Sequence, residues 1–339
     1  MTSQSIGIAV GAPEGVYPEI ATAVEQVARE TGCAVHQVAD PETARTTDVV
    51  VAIGYPAYYP FLVEPTRGHR VAWLGEPLAP ATESAIPRIR RQMPMGRMLD
   101  PAIAVATIHG RRRAPARLWA WREQASFEHV QRVNMAAHRR AARAGIRLIV
   151  TSQDHAATLR RSGIESNVVP FGFHPAWAGP PQAVDDSERD IDVLVFGTGM
   201  VGTHLRRARH VEAVIGGLGP GVRTHIVRTG VWGLDRHRLL GRARVALTIN
   251  QVPGNFLGIR TVLQAAAGAV SVSDPIRTPA PFIPGVHYVE APVDELAATI
   301  VALLADRARR LRIAAEAQHF VVEEVTMARS FSALLATLR

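Results

Sequence analysis

Apolar residues along the chain gather into short, nearly continuous runs separated by longer amphipathic stretches. Ile6 to Val10, Cys33 to Val38, Val49 to Ile53, Val71 to Leu74, Leu148 to Val150 and Val168-Val169 predict strands, with Ile103 to Ile108 as a further candidate. These runs do not alternate with polar residues, as a strand with one wet face would. Continuous runs suit a parallel sheet covered by helices on both faces. Pro18 to Glu30 places Ile20, Val24 and Val27 on one helical face, and Pro18 is tolerated at a helix start. Arg117 to Ala144 and Asp154 to Ser162 also read as helices. The second half repeats the alternation, with strands expected at Asp192 to Phe196, Thr224 to Val227, Arg244 to Ile249, Val270 to Val272 and His287 to Val289. Strand, helix, strand in this order makes an α/β protein. Between the halves, Pro170 to Trp177, Gly179-Pro180-Pro181 and the acidic run from Asp185 to Asp190 break the pattern and read as a linker.

The expected fold is therefore α/β, with two Rossmann-like doubly wound domains facing a cleft. Residues 1–172 form the first domain, 173–190 the linker and 191–320 the second domain. Residues 321–339 form a C-terminal helix that is a candidate to pack back on the first domain. A chain of 339 residues is long for one domain and comfortable for two.

Composition removes several function classes. The 38 Lys and Arg residues are all arginines. Without an ammonium side chain there is no Walker-type phosphate loop, Schiff-base lysine or pyridoxal chemistry. A phosphate must then be met by Arg, His, hydroxyls or backbone N–H groups. The net charge of +8 favours an anionic partner. The basic clusters are short and do not interleave with aromatics, so nucleic acid is not an expected partner. Cys33 is the only cysteine, and the histidines show no metal-ligand spacing, so no metal is expected. No apolar window is long enough to span a bilayer and no secretory signal is visible, which reads as cytoplasmic.

Two motifs can hold an anion. Gly197-Thr198-Gly199-Met200-Val201-Gly202 is a G-x-G-x-x-G between a strand and a helix, the setting in which backbone approaches phosphate. Arg206, Arg207 and Arg209 follow it, and a solvated helix face accounts for at least two of them. The second motif is Asn255-Phe256-Leu257-Gly258-Ile259-Arg260-Thr261, leading into the small-residue run that closes at Gly268. A helix starting at Gly258 to Thr261 would present unpaired N–H groups and a positive dipole end, with Arg260 adding a full charge. An Ala-rich helix packed tightly on a sheet would look the same without any ligand. Gly230 and Trp232 follow the second strand of this half, where a base could approach the backbone and stack, or the tryptophan could simply cover the core. Asn250 ends the central strand, at the edge where open α/β sheets bind ligands, or acts as a turn cap.

The segment from Asp192 to Arg339 resembles glycosyltransferases of the two-domain GT-B fold, in the group-1-like branch that includes the CgeB-type proteins. The resemblance rests on the loop glycine Gly258, Arg260, the closing Gly268, the run Pro281 to Val289, Asp294-Glu295-Leu296 and the terminal Ser330 to Leu335. Pro170-x-Gly172-x-x-Pro175 is similar to the segment that joins the halves in that group. The resemblance implies a nucleoside-diphosphate sugar donor, UDP- or GDP-linked, with no metal. Its binding positions would be Gly197, Thr198, Gly199, Arg206, Arg228, Gly230, Trp232, Asn250, Asn255, Gly258, Ile259, Arg260 and Thr261. Arg260 would stabilise the departing diphosphate. Two acidic positions of the family pattern are lost, becoming Asn255 and Leu263. In the family the first orients the donor sugar and the second holds the ribose.

The acceptor, a small molecule such as a natural product or a glycan, would sit against the first domain. Glu14, Glu76, His109 and Asp154 follow strands there and form the field for a general base, with no spacing rule to choose among them. A retaining reaction would need no protein base. Two other readings stay open. One is an NADP-dependent oxidoreductase built on the glycines at 197–202, with Arg228 on the 2′-phosphate. The other is a non-catalytic sugar-nucleotide-binding protein. The oligomeric state is not legible.

Overall fold

The computed structural model describes residues 4–10, 15–38, 41–54, 68–75, 134–196, 205–227, 230–250, 252–255 and 258–339. The first part holds β1 (Ser5–Val10), α1 (Val16–Glu30), β2 (Ala34–Gln37), α2 (Pro41–Thr46), β3 (Val49–Ile53) and β4 (His69–Leu74). After these come α3 (134–143), β5 (Arg147–Val150), α4 (Gln153–Arg161) and β6 (Asn167–Val168). Its six strands pair in the order β2-β1-β3-β4-β5-β6, and every pairing is parallel. β3 is buried along its whole length, as its unbroken Val-Val-Val-Ala-Ile requires of a strand covered on both faces. Ile103 to Ile108 lies outside the described residues.

The second part holds β7 (Ile191–Phe196), α6 (Leu205–Gly217), β8 (Thr224–Val227), α7 (Gly233–Gly241), β9 (Ala243–Thr248), α8 (Gly258–Ala266), β10 (Val270–Ser273) and β11 (Val289–Glu290). Three helices finish the chain: α9 (Leu296–Ala305), α10 (Arg307–Glu323) and α11 (Met327–Ala336). The strand order is β11-β10-β9-β7-β8, again all parallel. Sequence order therefore reverses between β7 and β9. The carboxyl edge at such a reversal is where ligands of open α/β sheets bind.

The segment between the sheets is ordered by packing. Phe171 lies against Trp73 with ring centroids 4.7 Å apart, and the Trp177 indole N–H donates to the Gly172 carbonyl at 3.0 Å. α5 (Pro175–Ala178) rests on α1, and α11 returns to pack on α1 as well. The backbone of Thr326 passes so close to Gly172 that a Cβ there would sit 2.2 Å from the Thr326 carbonyl. Glycine is the only residue that allows this crossing.

Arg189 secures the acidic end of the same segment. Its buried guanidinium donates to the carbonyls of Ala183 at 3.2 Å and Ala267 at 3.0 Å, and its Nε donates to the Asp185 backbone carbonyl at 2.6 Å. Gly268, the closing glycine of the motif, has φ +69°, and a Cβ on it would meet Arg189 Nη2 at 2.7 Å. Its role is to turn the chain from α8 into β10 over that arginine.

Candidate nucleotide site at the carboxyl edge of the second sheet

α8 starts at Gly258, just past the carboxyl end of β9, and its buried face from Thr261 to Ala266 packs on the sheet. Gly258, Ile259 and Arg260 stay partly exposed at the open end. The first amides of a helix have no intrahelical acceptor and carry the positive end of the dipole. Arg260 Nη1 donates to the Phe196 carbonyl, the last residue of β7, at 3.4 Å. The arginine thus spans from the helix after β9 to the end of β7, across the point where strand order reverses. Arg207, in the first turn of α6 after β7, is buried, whereas Arg209 is exposed. A solvated face accounts for Arg209 and not for Arg207.

Asn250 follows β9 at the same edge with 1 % exposure. Its backbone N–H and its side-chain amide both donate to Asp274 Oδ1, at 2.8 and 3.0 Å. Asp274 follows β10 and is itself buried, so the edge of the sheet is cross-braced by a pair that the sequence reading half foresaw, naming Asn250 and missing Asp274. Gln264 on α8 donates to the Thr248 hydroxyl at 3.0 Å and ties the helix to β9.

Asn255 is 1 % exposed, and among the described residues neither its side-chain oxygen nor its side-chain nitrogen has a hydrogen-bond partner. Leaving a buried amide unsatisfied costs about 1–3 kcal/mol. Leu263, the other lost acidic position, is buried in the core beside Val262 and Ala266. It cannot hold a ribose by hydrogen bonding, so a ribose would need another partner.

Gly230 and Trp232 lie at the carboxyl end of β8. Gly230 has φ +83°, and Trp232 is 48 % exposed at the N-cap position of α7. Trp232 therefore does not cover the core. Glu14, Glu76, His109, Gly197, Thr198, Gly199 and Arg228 lie outside the described residues, as does the side chain of Arg206. Asp154, in the first turn of α4, lies at the carboxyl edge of the first sheet.

The two carboxyl edges meet. Glu19 is in the first turn of α1, the helix after β1, and its carboxylate accepts from the Gly233 N–H at 2.7 Å and from Arg236 at 2.6 Å. Gly233 begins the helix after β8. Sequence reasoning missed this pair because its partners are 217 residues apart and neither belongs to a motif. Among the described residues no group of three or more His, Cys, Asp or Glu side chains is placed to hold a metal, and no helix is long and apolar enough to cross a membrane.

Residues 187–336 match the family model described as glycosyl transferase-like. No curated protein sequence matches the chain. Among solved structures, HepE of Anabaena in complex with UDP and glucose is similar at 13% identity, with 99% of each chain covered and a TM-score of 0.64. The sucrose-phosphate synthase of Thermosynechococcus elongatus is similar at 12% identity, with 99% of each chain covered and a TM-score of 0.60. TarM is similar at 8% identity and a TM-score of 0.57; the alignment covers 86% of this chain and 54% of TarM, about half that protein's length. These likenesses show a shared architecture. The chain has the GT-B fold, and its residues 187–336 are similar to the glycosyl transferase-like family.

Proposed function

We propose that the chain is a glycosyltransferase that moves a sugar from a nucleoside-diphosphate sugar to an acceptor, with the donor bound at the β7/β9 crevice. The observation that carries this reading is Arg260, which lies in the first turn of α8 and reaches the end of β7 at 3.4 Å. A guanidinium and a helix start converge where a diphosphate would leave. In the reaction the bond from the sugar's anomeric carbon to the phosphate oxygen breaks, and the diphosphate departs with the electron pair. The acceptor oxygen bonds to that carbon and loses its proton. Arg260, the first amides of α8 and an arginine of the α6 first turn neutralise the leaving group, the task a metal performs elsewhere. Gly197, Thr198 and Gly199 would line the same diphosphate from the β7 side, with Arg206 or Arg207 behind them.

Asn250 braces the floor of this site. Gly230 and Trp232 would meet the nucleoside base, with Arg228 beside it. The HepE structures hold UDP and UDP-glucose, which favours a uridine nucleotide and a hexose over a GDP-sugar. Asn255 stands where the family orients the donor sugar, and its orphaned amide would be satisfied by sugar hydroxyls. Gly258, Ile259 and Thr261 complete the helix start under the phosphates. The first sheet, residues 1–172, would present the acceptor, a small molecule or a glycan, with Glu14, Glu76, His109 and Asp154 as the field for a base. The G-x-G-x-x-G at 197–202 lies inside the region that matches the glycosyl transferase-like model, which favours a sugar-nucleotide role for it over NADP. Calorimetry with UDP, GDP, TDP and NADP tests the reading: binding of a nucleoside diphosphate supports it, and binding of NADP alone overturns it. Consumption of a UDP-sugar with acceptor present separates an enzyme from a non-catalytic binder.

A further inference from the structure

α7 begins badly by its own sequence. Its N-cap residue is Trp232, whose indole makes no capping hydrogen bond, whereas good caps are Ser, Thr, Asp and Asn. Gly233, the first helical residue, has φ +56°. The missing acceptor comes from the other sheet unit. Glu19, from α1, accepts the Gly233 N–H with one oxygen at 2.7 Å and Arg236 Nη2 with the other at 2.6 Å. Arg236 Nη2 also donates to the carbonyl of Trp177 in the segment between the sheets, at 2.7 Å. Arg236 is almost fully buried, and its Nε and Nη1 have no hydrogen-bond partner among the described residues. A buried guanidinium holds its place only while a carboxylate compensates it. Three segments distant in sequence are therefore pinned at one point, immediately beside the exposed Trp232.

We propose that Glu19 is a positioning residue of the nucleotide site. Capping α7 from the opposite unit, it fixes the Gly230–Trp232 loop and ties that loop's position to the relative placement of the two sheets. The proposal rests on the reading that this loop meets the nucleoside base. Donor binding and the register of the two units are then coupled through a single carboxylate. The sequence shows the device only as a violation: a tryptophan at a helix start, with no local residue to cap it.

The test uses the full chain with Glu19→Ala, the near-isosteric Glu19→Gln, and Glu25→Gln as a control. Glu25 lies on the same helix but pairs with Arg29 and Gln37 in its own unit. Hydrogen exchange of the nucleotide-free protein is expected to speed up at least tenfold at the amides of Gly233 to Arg236 in Glu19→Ala and to stay unchanged in the control. UDP affinity, measured by calorimetry well below the melting temperature, is expected to fall threefold or more in both Glu19 variants. Should Glu19→Ala not fold, Glu19→Gln carries both measurements, because it keeps the volume and removes the charge. Unchanged exchange overturns the capping role. Faster exchange with UDP affinity within twofold of wild type reduces Glu19 to a structural residue and overturns the positioning role, while leaving the donor site intact. A wild-type chain that binds no nucleoside diphosphate fails the site itself, and the positioning role falls with it.

Discussion

Replacing Arg260 with alanine separates the chemistry of the proposed site from its stability. Among the contacts of the guanidinium within the fold is a long hydrogen bond, 3.4 Å to the Phe196 carbonyl, made from a partly exposed position. A bond at that length is weak, and its loss should cost less than about 1 kcal/mol of folding free energy. Against a departing diphosphate the same group makes a charged hydrogen bond, worth about 1.5–3 kcal/mol. At about 1.4 kcal/mol per factor of ten, that is roughly a 10- to 150-fold loss of turnover. The assay is release of UDP from a UDP-sugar, with the melting temperature followed in parallel. A rate fall of tenfold or more with a melting temperature within a few degrees of wild type is the expected outcome. An unchanged rate would remove Arg260 from the mechanism. An equal collapse of rate and stability would make it a structural arginine.

Asn255→Leu removes a buried amide that has no hydrogen-bond partner among the described residues, and should stabilise the nucleotide-free fold by about 1–3 kcal/mol, read by urea unfolding, while weakening UDP-glucose more than UDP. A loss of stability would mean that the amide is satisfied in the folded chain. His138 and His155 face each other with ring centroids 5.9 Å apart, and burial lowers their pKa values to about 4 and about 3. Both bind a proton more readily when unfolded, near pH 6.5, so their contribution is fully present above that pH. It is lost as pH falls from about 6.5 towards about 4 for His138 and towards about 3 for His155, at about 1.4 kcal/mol per pH unit for each. His155→Gln should flatten the acid limb of a stability-versus-pH curve, and an identical limb would refute the assignment. Gly268→Ala forces a side chain into a left-handed conformation and onto Arg189, and should cost about 1–3 kcal/mol in thermal or urea unfolding; a neutral substitution would show that the α8–β10 turn can relax.

Periodicity made the sheets legible. Val49 to Ile53 is a strand at the predicted bounds, because a buried parallel strand announces itself as an unbroken apolar run; Thr224 to Val227 also keeps its predicted bounds, as a largely exposed edge strand. The linker was read as irregular, yet Pro175–Ala178 forms a helical turn, since Pro175 suits a helix start and His174 caps it at Ala176. Arg260 and the Gly258 helix start could be located because a motif is local. Asp274 under Asn250, and Glu19 against Gly233, could not, because such partners are set by which strand edges meet in space. The fate of Leu263 was half legible: its apolar side chain denied it a ribose, and the structure shows that it fills the core instead.

The most direct measurement is a crystal structure of the chain with UDP. The account predicts the diphosphate over the first amides of α8, within hydrogen-bond reach of Arg260, with the uracil beside Gly230 and Trp232. A nucleotide bound elsewhere, or that crevice closed by protein side chains, would contradict it.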